Sequence, residues 1–335
     1  MLVAREYSTI AEARRASAGG LGRASTPSLF DRIQWFESLH EHCFAKTPLR
    51  ILHAIEGDHE AWLFLLSPTE RRLSALANWY SFSWAPVYVG DPDADTQRRL
   101  VEVLGQQLFR TSAQIDLYPI ANDADLLLDA FRRAGWFAVR RPMGGRHLLD
   151  LNGRNFAAYW ADRPGRLRNQ VQRKARASRF AIEIGGAFSE ALWADYITIH
   201  ASSWKQSEPG LSFLRSLAER EAAAGTLRLG FARLNGQPVA TQLWTIENGT
   251  ALIHKLSHDQ AFDGASPGTL LSHAMFAHAI DTDRVQRIDY GTGDNAYKTE
   301  WMDRRETLHR LDFFNPRFAS TWLPAARTAI SALVG

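Results

Sequence analysis

The sequence has 335 residues, is poor in cysteine and contains no long apolar run. Cys43 is the only cysteine, which excludes an internal disulfide framework and a cysteine-rich metal site within one chain. No window approaches the roughly 20 apolar residues that a membrane-spanning helix needs. The first residues lack an apolar stretch followed by a cleavage site, so no signal peptide is expected. These absences predict a cytoplasmic protein.

The composition and length predict a globular chain with two domains. Hydrophobic residues make up 45% and charged residues 22% of the sequence, which is enough for a well-formed core. Each half shows three meandering strands, a loop, a helix, a buried strand, a helix and a further strand. This repeat predicts an α/β (α+β) fold of tandem units, each a mixed, mostly antiparallel sheet flanked by helices. We expect a flexible N-terminal arm over 1–27, one domain over 28–155 and another over 156–335.

The net charge is only +3, but the basic residues are unevenly spread. The segment from Arg166 to Arg179 carries six basic residues and no acidic one. Such a helix can attract phosphates or a lipid surface, and peripheral membrane contact through it is one interpretation. A plain solvated helix face is the other, and the sequence does not decide between them.

A glycine loop in the second half is the predicted cofactor site. It follows a strand and precedes a helix, where glycines allow close approach and free N–H groups attract anions. The matching loop of the first half, Gly90 to Asp95, carries three aspartates and would repel a phosphate. The predicted cofactor-binding residues are Gly264, Ser266, Gly268, Thr269 and Leu270.

A second motif runs from Asp289 to Trp301. Asp289 is predicted to end a buried strand, where α/β enzymes place polar groups, and Asp294 to cap the next helix. Lys298 lies one turn later and is a candidate oxyanion donor. Tyr297 is either a substrate contact or, like Trp301, a core residue.

Two histidine segments complete the candidate site, one over 200–205 at a predicted helix end and one over 254–259 on a predicted strand. His254, Leu256 and His258 share one face of a predicted strand, and Lys255 lies on the other. Asp289 or His254 is the candidate general base toward an amine. The predicted substrate-binding residues are Trp204, Lys205, Lys255, His258 and Tyr297. No metal-ligand spacing occurs, so no metal is expected.

Taken in order, these motifs resemble the GNAT superfamily, and within it the BioF2-like or CelD-like acetyltransferase branch, which is akin to the Fem peptidyltransferases. The resemblance runs from about 156 to 315. It implies that the pyrophosphate of acyl-CoA binds at the loop before the Thr269 helix. The usual Arg/Gln-x-x-Gly-x-Gly/Ala signature is replaced there by the sequence from Phe262 to Gly268. The resemblance also implies that Lys298 stabilises charge on the reacting carbonyl, since Fem ligases carry a lysine after an aromatic residue.

The predicted function is therefore N-acyl transfer from acyl-CoA, as co-substrate, to an amine. Some relatives in this branch take part in bacterial ceramide synthesis, so the acceptor is expected to be a small amine or a lipid such as a sphingoid base. Nucleic acid is not an expected partner. One alternative is a Fem-type transferase that takes its acyl group from aminoacyl-tRNA. Another is a non-catalytic module that binds a membrane or nucleic acid.

Overall fold

A computed structural model describes residues 2–203 and 210–334. It divides the chain into two compact units, Met1–Gly144 with Thr307–Gly335, and Gly145–Glu306. This division differs from the predicted boundary between 155 and 156. The difference has a topological cause. The strand Phe137–Asp150 pairs with the sheet of the second unit, and the strand Arg304–Phe314 pairs with the sheet of the first.

The first part of the chain forms seven strands and four helices. In order they are β1 (Leu2–Tyr7), α1 (Ile10–Ala16), α2 (Ile33–Cys43), β2 (Leu49–Glu56), β3 (His59–Thr69), β4 (Arg72–Ala75), β5 (Val87–Val89), α3 (Ala94–Phe109), β6 (Gln114–Ile120), α4 (Ala124–Arg133) and β7 (Phe137–Asp150).

The rest of the described chain continues the alternation. It comprises α5 (Phe156–Ala161), α6 (Gly165–Ala177), β8 (Ala181–Gly185), α7 (Glu190–Ser202), α8 (Leu211–Ala223), β9 (Leu227–Leu234), β10 (Gln237–Glu247), β11 (Thr250–His258), α9 (Pro267–Ala277), β12 (Arg287–Thr292), α10 (Ala296–Trp301), β13 (Arg304–Phe314) and α11 (Trp322–Val334).

The range 1–27, for which a flexible arm is predicted, contains a strand and a helix. β1 pairs with β2 in antiparallel register from Leu2↔Glu56 to Tyr7↔Ile51. α1 follows, with a capping box in which Thr9 and Glu12 satisfy each other's backbone N–H groups. Backbone groups paired in this way are held by the sheet and the cap, so the segment is part of the first unit.

The sheet of the first unit has the order β1-β2-β3-β4-β6-β13, with β5 also paired to β3. Neighbours are antiparallel except β4 and β6, which run parallel over three pairs that end at Ser74↔Asp116. The last strand, β13, comes from the far end of the chain. Along the chain, the last strand of the first unit therefore comes after all the strands of the second unit.

The sheet of the second unit, read from its β8 edge, has the order β8-β9-β10-β11-β12-β7. This order repeats that of the first sheet strand by strand. Here β11 and β12 form the parallel pair, again over three residues, ending at Leu252↔Asp289. The outer antiparallel strand is the end of β7, whose Arg287↔Asp150 register pairs it with β12. The predicted tandem architecture of mixed, mostly antiparallel sheets flanked by helices is confirmed.

The core of the second unit is aromatic. Tyr159, Trp244, Phe276 and Trp301 are almost fully buried and belong to one cluster. Phe276 stacks on Tyr159 and meets Trp244 edge-on at a centroid distance of 5.3 Å. Large rings packed in this manner fix the positions of α9 and α10 against the sheet.

Candidate active site

A cleft opens in the second unit where the two parallel strands stop pairing. The register of β11 and β12 ends at Leu252 and Asp289, and a cavity of about 480 Å³ lies beside their later residues. This volume is in the range of small-molecule sites. Its walls come from α6, β11, the loop before α9, α9 itself, β12 and α10. Leu167, Leu256 and Trp301 supply apolar surface, and we call this cavity the cleft.

The start of α9 faces the cleft without a side-chain cap. A 3-10 turn over Gln260–Ala265 leads to Ser266, whose φ of 56° is left-handed, and Pro267 is the first helical residue. The side chain of the N-cap residue, Ser266, accepts no hydrogen bond from the first helical N–H groups, which have no partner inside a helix. Ser266, Gly268 and Thr269 line the cleft. This helix start can therefore receive an anion.

The two other predicted cofactor residues support this loop from outside the cleft. The carbonyl of Gly264 accepts a hydrogen bond from Lys174 of α6. Leu270 is buried in the core cluster of the second unit. The structure therefore brings three of the five predicted residues to the cleft and places two behind it.

His258 and Asp263 form a pair on the cleft wall. His258 Nε2 lies 2.8 Å from Asp263 Oδ1. An ionised carboxylate only accepts hydrogen bonds, so Nε2 is a protonated nitrogen, and in the neutral imidazole Nδ1 is the nitrogen with the lone pair. A Cβ atom at Gly268 would lie 3.2 Å from that Nδ1. The basic nitrogen therefore points toward the start of α9.

Two phenols line the cleft opposite this pair. Burial raises the pKa of Tyr290 well above its usual value, while a hydrogen bond with Ser272 lowers it. Ser272 Oγ also accepts from Gln242 Nε2 at 2.7 Å, within the interior. Tyr297 is 41% exposed, and burial of its hydroxyl end raises its pKa. Both phenols stay neutral at physiological pH and can donate hydrogen bonds.

Glu300 adds a carboxylate to the cleft wall. It follows Tyr297 by three residues on α10, so the two side chains share a helix face. Its acidic group can attract a cationic amine. Within residues 2–203 and 210–334, no ion-pair partner is seen for it.

Asp289 lies beneath the cleft and does not line it. Its side chain is fully buried and ion-paired with Arg146, with N–O distances of 2.5 and 2.7 Å. Its other oxygen accepts from the backbone N–H of Gly291 at 2.9 Å. Both oxygens of the Asp289 carboxylate are therefore engaged by donors of the protein itself. The structure gives Asp289 a place in the fold rather than at the reacting atoms.

Lys298 lies beside the cleft and is also engaged. Its Nζ donates to the carbonyls of Tyr290 at 2.9 Å and Thr292 at 2.6 Å. Burial lowers its pKa to about 8, although Asp289 and Asp294 favour the charged form. The ammonium thus clamps the end of β12, where Gly291 has a φ of 67°. One N–H of the ammonium remains beyond these two bonds.

The expected cap at Asp294 is wrong. The N-cap of α10 is Asn295, and Asp294 accepts from Arg305 Nε at 2.7 Å. The guanidinium of Arg305 is the better partner because it offers a charge-assisted bond. Trp301 is buried in the core as expected, whereas Tyr297 lines the cleft.

His254 and Lys255 lie further back on β11, away from the cleft lining. A bulge in the pairing of β10 and β11 falls at His254, between Leu243↔Lys255 and Trp244↔Ile253. His254 Nε2 lies 2.9 Å from Thr245 Oγ1. Burial lowers its pKa to about 4, against an opposing effect of Glu221. Lys255 is half-buried.

Two predicted substrate contacts, Trp204 and Lys205, lie outside the described residues. Across the described parts of the chain, no cluster of three or more histidine, cysteine, aspartate or glutamate side chains could hold a metal ion. None of the helices seen there combines the length and the apolar character needed to cross a bilayer.

Sequence reasoning missed several groups of the cleft. Tyr290, Ser272, Asp263 and Glu300 were not selected, although Tyr290 and Glu300 belong to the motif around Asp289. Strand alternation was the available signal for Tyr290, because adjacent residues of a strand face opposite sides. If Asp289 faces one side of β12, its neighbour faces the other.

Two parallel strands that separate beside a helix start without a side-chain cap can accommodate an anionic ligand next to an apolar pocket. The family model for an acetyltransferase (GNAT) domain matches residues 162–299, and these contain most of the cleft. Residues 162–299 therefore form a GNAT-type domain within the second unit, and the first unit repeats its sheet plan.

Solved structures share this fold over almost the whole chain. The C-terminal DUF2156 domain of a putative lysylphosphatidylglycerol synthetase from Agrobacterium fabrum is 16% identical with a TM-score of 0.59, covering 95% of this chain and 96% of that one. FemX is 10% identical with a TM-score of 0.61, covering 96% and 100%.

A tandem GNAT protein from the clavulanic acid biosynthesis pathway is 11% identical with a TM-score of 0.52, covering 93% of this chain and 98% of that one. Among curated proteins, none matches this sequence with statistical significance. At these identities the likeness to solved structures is one of fold.

Proposed function

We propose that the second unit is an N-acyltransferase that moves an acyl group from acyl-CoA to an amine. The observation that carries this proposal is the cleft, in which an uncapped helix start and apolar surface lie side by side. A thioester of CoA has the same two parts, a pyrophosphate and an acyl chain. The GNAT domain match over the same residues supports it.

The donor's pyrophosphate binds at the start of α9 in this proposal. The backbone N–H groups of Gly268 and Thr269 lie where the helix dipole favours an anion. Gly264 and Leu270 hold the loop in place through Lys174 and the core. The absence of a side chain at Gly268 leaves room beside His258.

The acyl chain occupies the apolar part of the cleft. Leu167, Leu256 and Trp301 can cover methylene groups, each of which contributes up to about 0.8 kcal/mol when buried. We therefore propose an acyl group longer than acetyl and an amine with lipid character, such as a sphingoid base. The fold is shared with a protein whose name refers to lysylphosphatidylglycerol, which supports a lipid substrate.

His258 is the general base in this proposal, oriented by Asp263. Its Nδ1 takes a proton from the amine as the amine nitrogen attacks the thioester carbonyl. A C–N bond forms, the C–S bond breaks, and the thiolate of CoA leaves and is protonated. The neutral phenols of Tyr290 and Tyr297 donate hydrogen bonds to the developing oxyanion and thiolate. Glu300 attracts the amine in its ammonium form, which loses one proton to solvent before the neutral nitrogen attacks.

We propose His258 as the general base instead of Asp289 or His254, because His258 lines the cleft and the other two do not. Asp289 is committed to Arg146, and His254 lies among buried groups behind the cleft. Lys298 supports Tyr290 by holding its carbonyl. Its role toward the substrate is indirect.

The second candidate is an aminoacyl-tRNA donor in place of acyl-CoA. The observation in its favour is the row of exposed arginines on α6 beside the cleft, since basic helices also bind nucleic acid. A tRNA donor predicts transfer from charged tRNA and none from acyl-CoA. The two donors are separated by supplying each alone to the purified protein.

The direct test is thiol release from acyl-CoAs of increasing chain length, with a long-chain amine as acceptor and mass spectrometry of the product. We expect an N-acylated product, with long chains preferred over acetyl. His258→Gln should reduce turnover about a hundredfold or more, whereas His42→Gln in α2 should not. Absence of thiol release with every chain length, from a folded protein, would overturn the proposal.

A further inference from the structure

The solvent side of α6 is a basic surface without acidic partners. Arg166, Arg168, Arg173 and Arg176 of α6 and Arg179 just after its end are exposed, and we call these five residues the arginine face. No acidic residue occurs between Asp162 and Glu183. Within the described ranges, none of these five arginines makes an ion pair or a side-chain hydrogen bond.

Other arginines of the same unit are paired within the protein. Arg215 binds Glu190, and Arg228 binds Asp283 with a closest distance of 2.5 Å. Arg233 bridges Glu183 and Asp195. The unit therefore offers its guanidinium groups to internal carboxylates in most places, and leaves them to solvent along α6. Concentrated positive charge of this kind attracts an anionic partner.

The arginine face is continuous with the cleft. Leu167 and Val171 are buried, and Leu167 and Gln170 line the cleft. Helical spacing of three and four residues places Arg166 and Arg173 on either side of Gln170 along the helix. Lys174, the remaining basic residue of the segment, is tied to the carbonyl of Gly264. One helix thus borders both the apolar cavity and the basic surface.

We propose that the arginine face docks the protein on an anionic lipid bilayer, with the mouth of the cleft beside the headgroups. The inference rests on the proposed function, because an acyltransferase with a lipid amine must meet its acceptor at a membrane. A lipid joins an anionic headgroup to an acyl chain, which matches a basic surface joined to an apolar cavity. Ile182, 37% exposed on β8 just after the arginines, adds apolar surface at the same end. RNA matches the charge alone.

Vesicle binding of the full chain tests this proposal. Vesicles of phosphatidylcholine are compared with vesicles containing about 30% phosphatidylglycerol, in which each basic residue near the surface contributes about fivefold in affinity. We expect preferential binding to the anionic vesicles that weakens as salt rises. The triple variant R166Q/R173Q/R176Q should lose affinity on the order of a hundredfold.

A matched variant controls for loss of charge. R15Q/R110Q/R132Q removes three exposed arginines of the first unit and should bind anionic vesicles as the wild type does. Equal binding of the wild type to both vesicle types would overturn the proposal. So would an equal loss in the two triple variants.

RNA binding is the competing outcome. If R166Q/R173Q/R176Q loses affinity for a tRNA-sized RNA while its vesicle binding is unchanged, the arginine face is a nucleic-acid surface. Thiol release by the wild type, measured in the same preparations with a soluble amine, tests the proposed function separately from the docking surface. Vesicle binding without thiol release counts against the proposed function, and thiol release without vesicle binding counts against the docking surface.

Discussion

The two units share one sheet plan but differ at the helix that follows the meander. In the first unit, α3 begins with Asp93, whose side chain accepts from the N–H of Thr96 at 2.8 Å. In the second, α9 begins at Ser266 with no side-chain cap. In the first unit, the carboxylate of Asp93 occupies the place at the helix start where an anion could bind. In the second unit, the N-cap side chain leaves this place open. The comparison teaches that a duplicated fold can keep its frame while the helix start after the meander is capped by a side chain in only one of the two units.

The same comparison reassigns Asp289. Asp116 ends the parallel register of β4 and β6, as Asp289 ends that of β11 and β12. Both carboxylates are buried, and each is paired with an arginine from the neighbouring antiparallel strand, Arg310 for Asp116 and Arg146 for Asp289. A feature present in both units belongs to the frame of the fold.

The largest expected effect follows from this equivalence. Asp116→Asn and Asp289→Asn should each lower the free energy of unfolding by about 3 kcal/mol, because each removes the charge-assisted hydrogen bonds of a buried carboxylate. Urea unfolding of both variants measures the loss. If Asp289→Asn unfolds like the wild type but has lost turnover, Asp289 is catalytic and the equivalence fails.

Acid should destabilise the second unit through His254. Its pKa is about 4 when folded and about 6.5 in an unfolded chain. The stability contributed by the neutral imidazole is therefore complete above pH 6.5 and is lost as the pH falls through 4, by about 3 kcal/mol at most. His254→Gln should flatten this part of the stability curve, with measurements at pH 8 as the reference. Parallel curves for the two proteins between pH 7 and 4 would contradict the assignment.

Lys298 marks a smaller difference between the units. No lysine occupies the segment after β6, from Ala121 to Arg133, whereas Lys298 holds the end of β12. Lys298→Met removes two charge-assisted bonds and should lower the free energy of unfolding by about 2 kcal/mol. The dissociation constant of acyl-CoA should stay within about threefold of the wild-type value, equivalent to less than 1 kcal/mol. A rise above tenfold in the folded variant would show that the ammonium contacts the donor.

The smallest effect comes from making α9 resemble α3. Gly268→Asp places a carboxylate at the second residue of α9 and should raise the dissociation constant of acyl-CoA about tenfold, or 1.4 kcal/mol. Asp93→Ala, which removes the side-chain cap from the start of α3, should leave this constant unchanged. Titration calorimetry compares the two variants. Equal constants for wild type and Gly268→Asp would remove the donor from this loop.

Much of this frame could be predicted from local sequence patterns. Helical periodicity in the sequence predicts helices over 190–203 and 211–224, which match α7 and α8 to one residue because their ends carry clear signals such as Ser189 and Gly225. The Asn-Gly pairs that begin at Asn235 and Asn248 predict tight hairpin turns, and both asparagines have positive φ in the structure. Local periodicity and turn chemistry are sufficient for such elements.

The remainder depended on long-range pairing. The exchange of β7 and β13 set the unit boundaries, and no local pattern records it. β1 and β8 were missed because short edge strands bury little: β8 has no fully buried residue. The ion pair of Asp289 with Arg146 joins residues 143 positions apart, so its strength could not be read from the motif. The structure brings three residues of the predicted glycine loop to the cleft, whereas Tyr290 and Glu300, which also line it, were not predicted.

Hydrogen exchange of the full chain, with and without a long-chain acyl-CoA, tests the central claim most directly. The two units serve as each other's control within one sample. The account predicts slower exchange at the end of β11, the start of α9 and α10 when the ligand is present, with no change at the start of α3. Protection at the start of α3, or none at the start of α9 under saturating ligand, would contradict it.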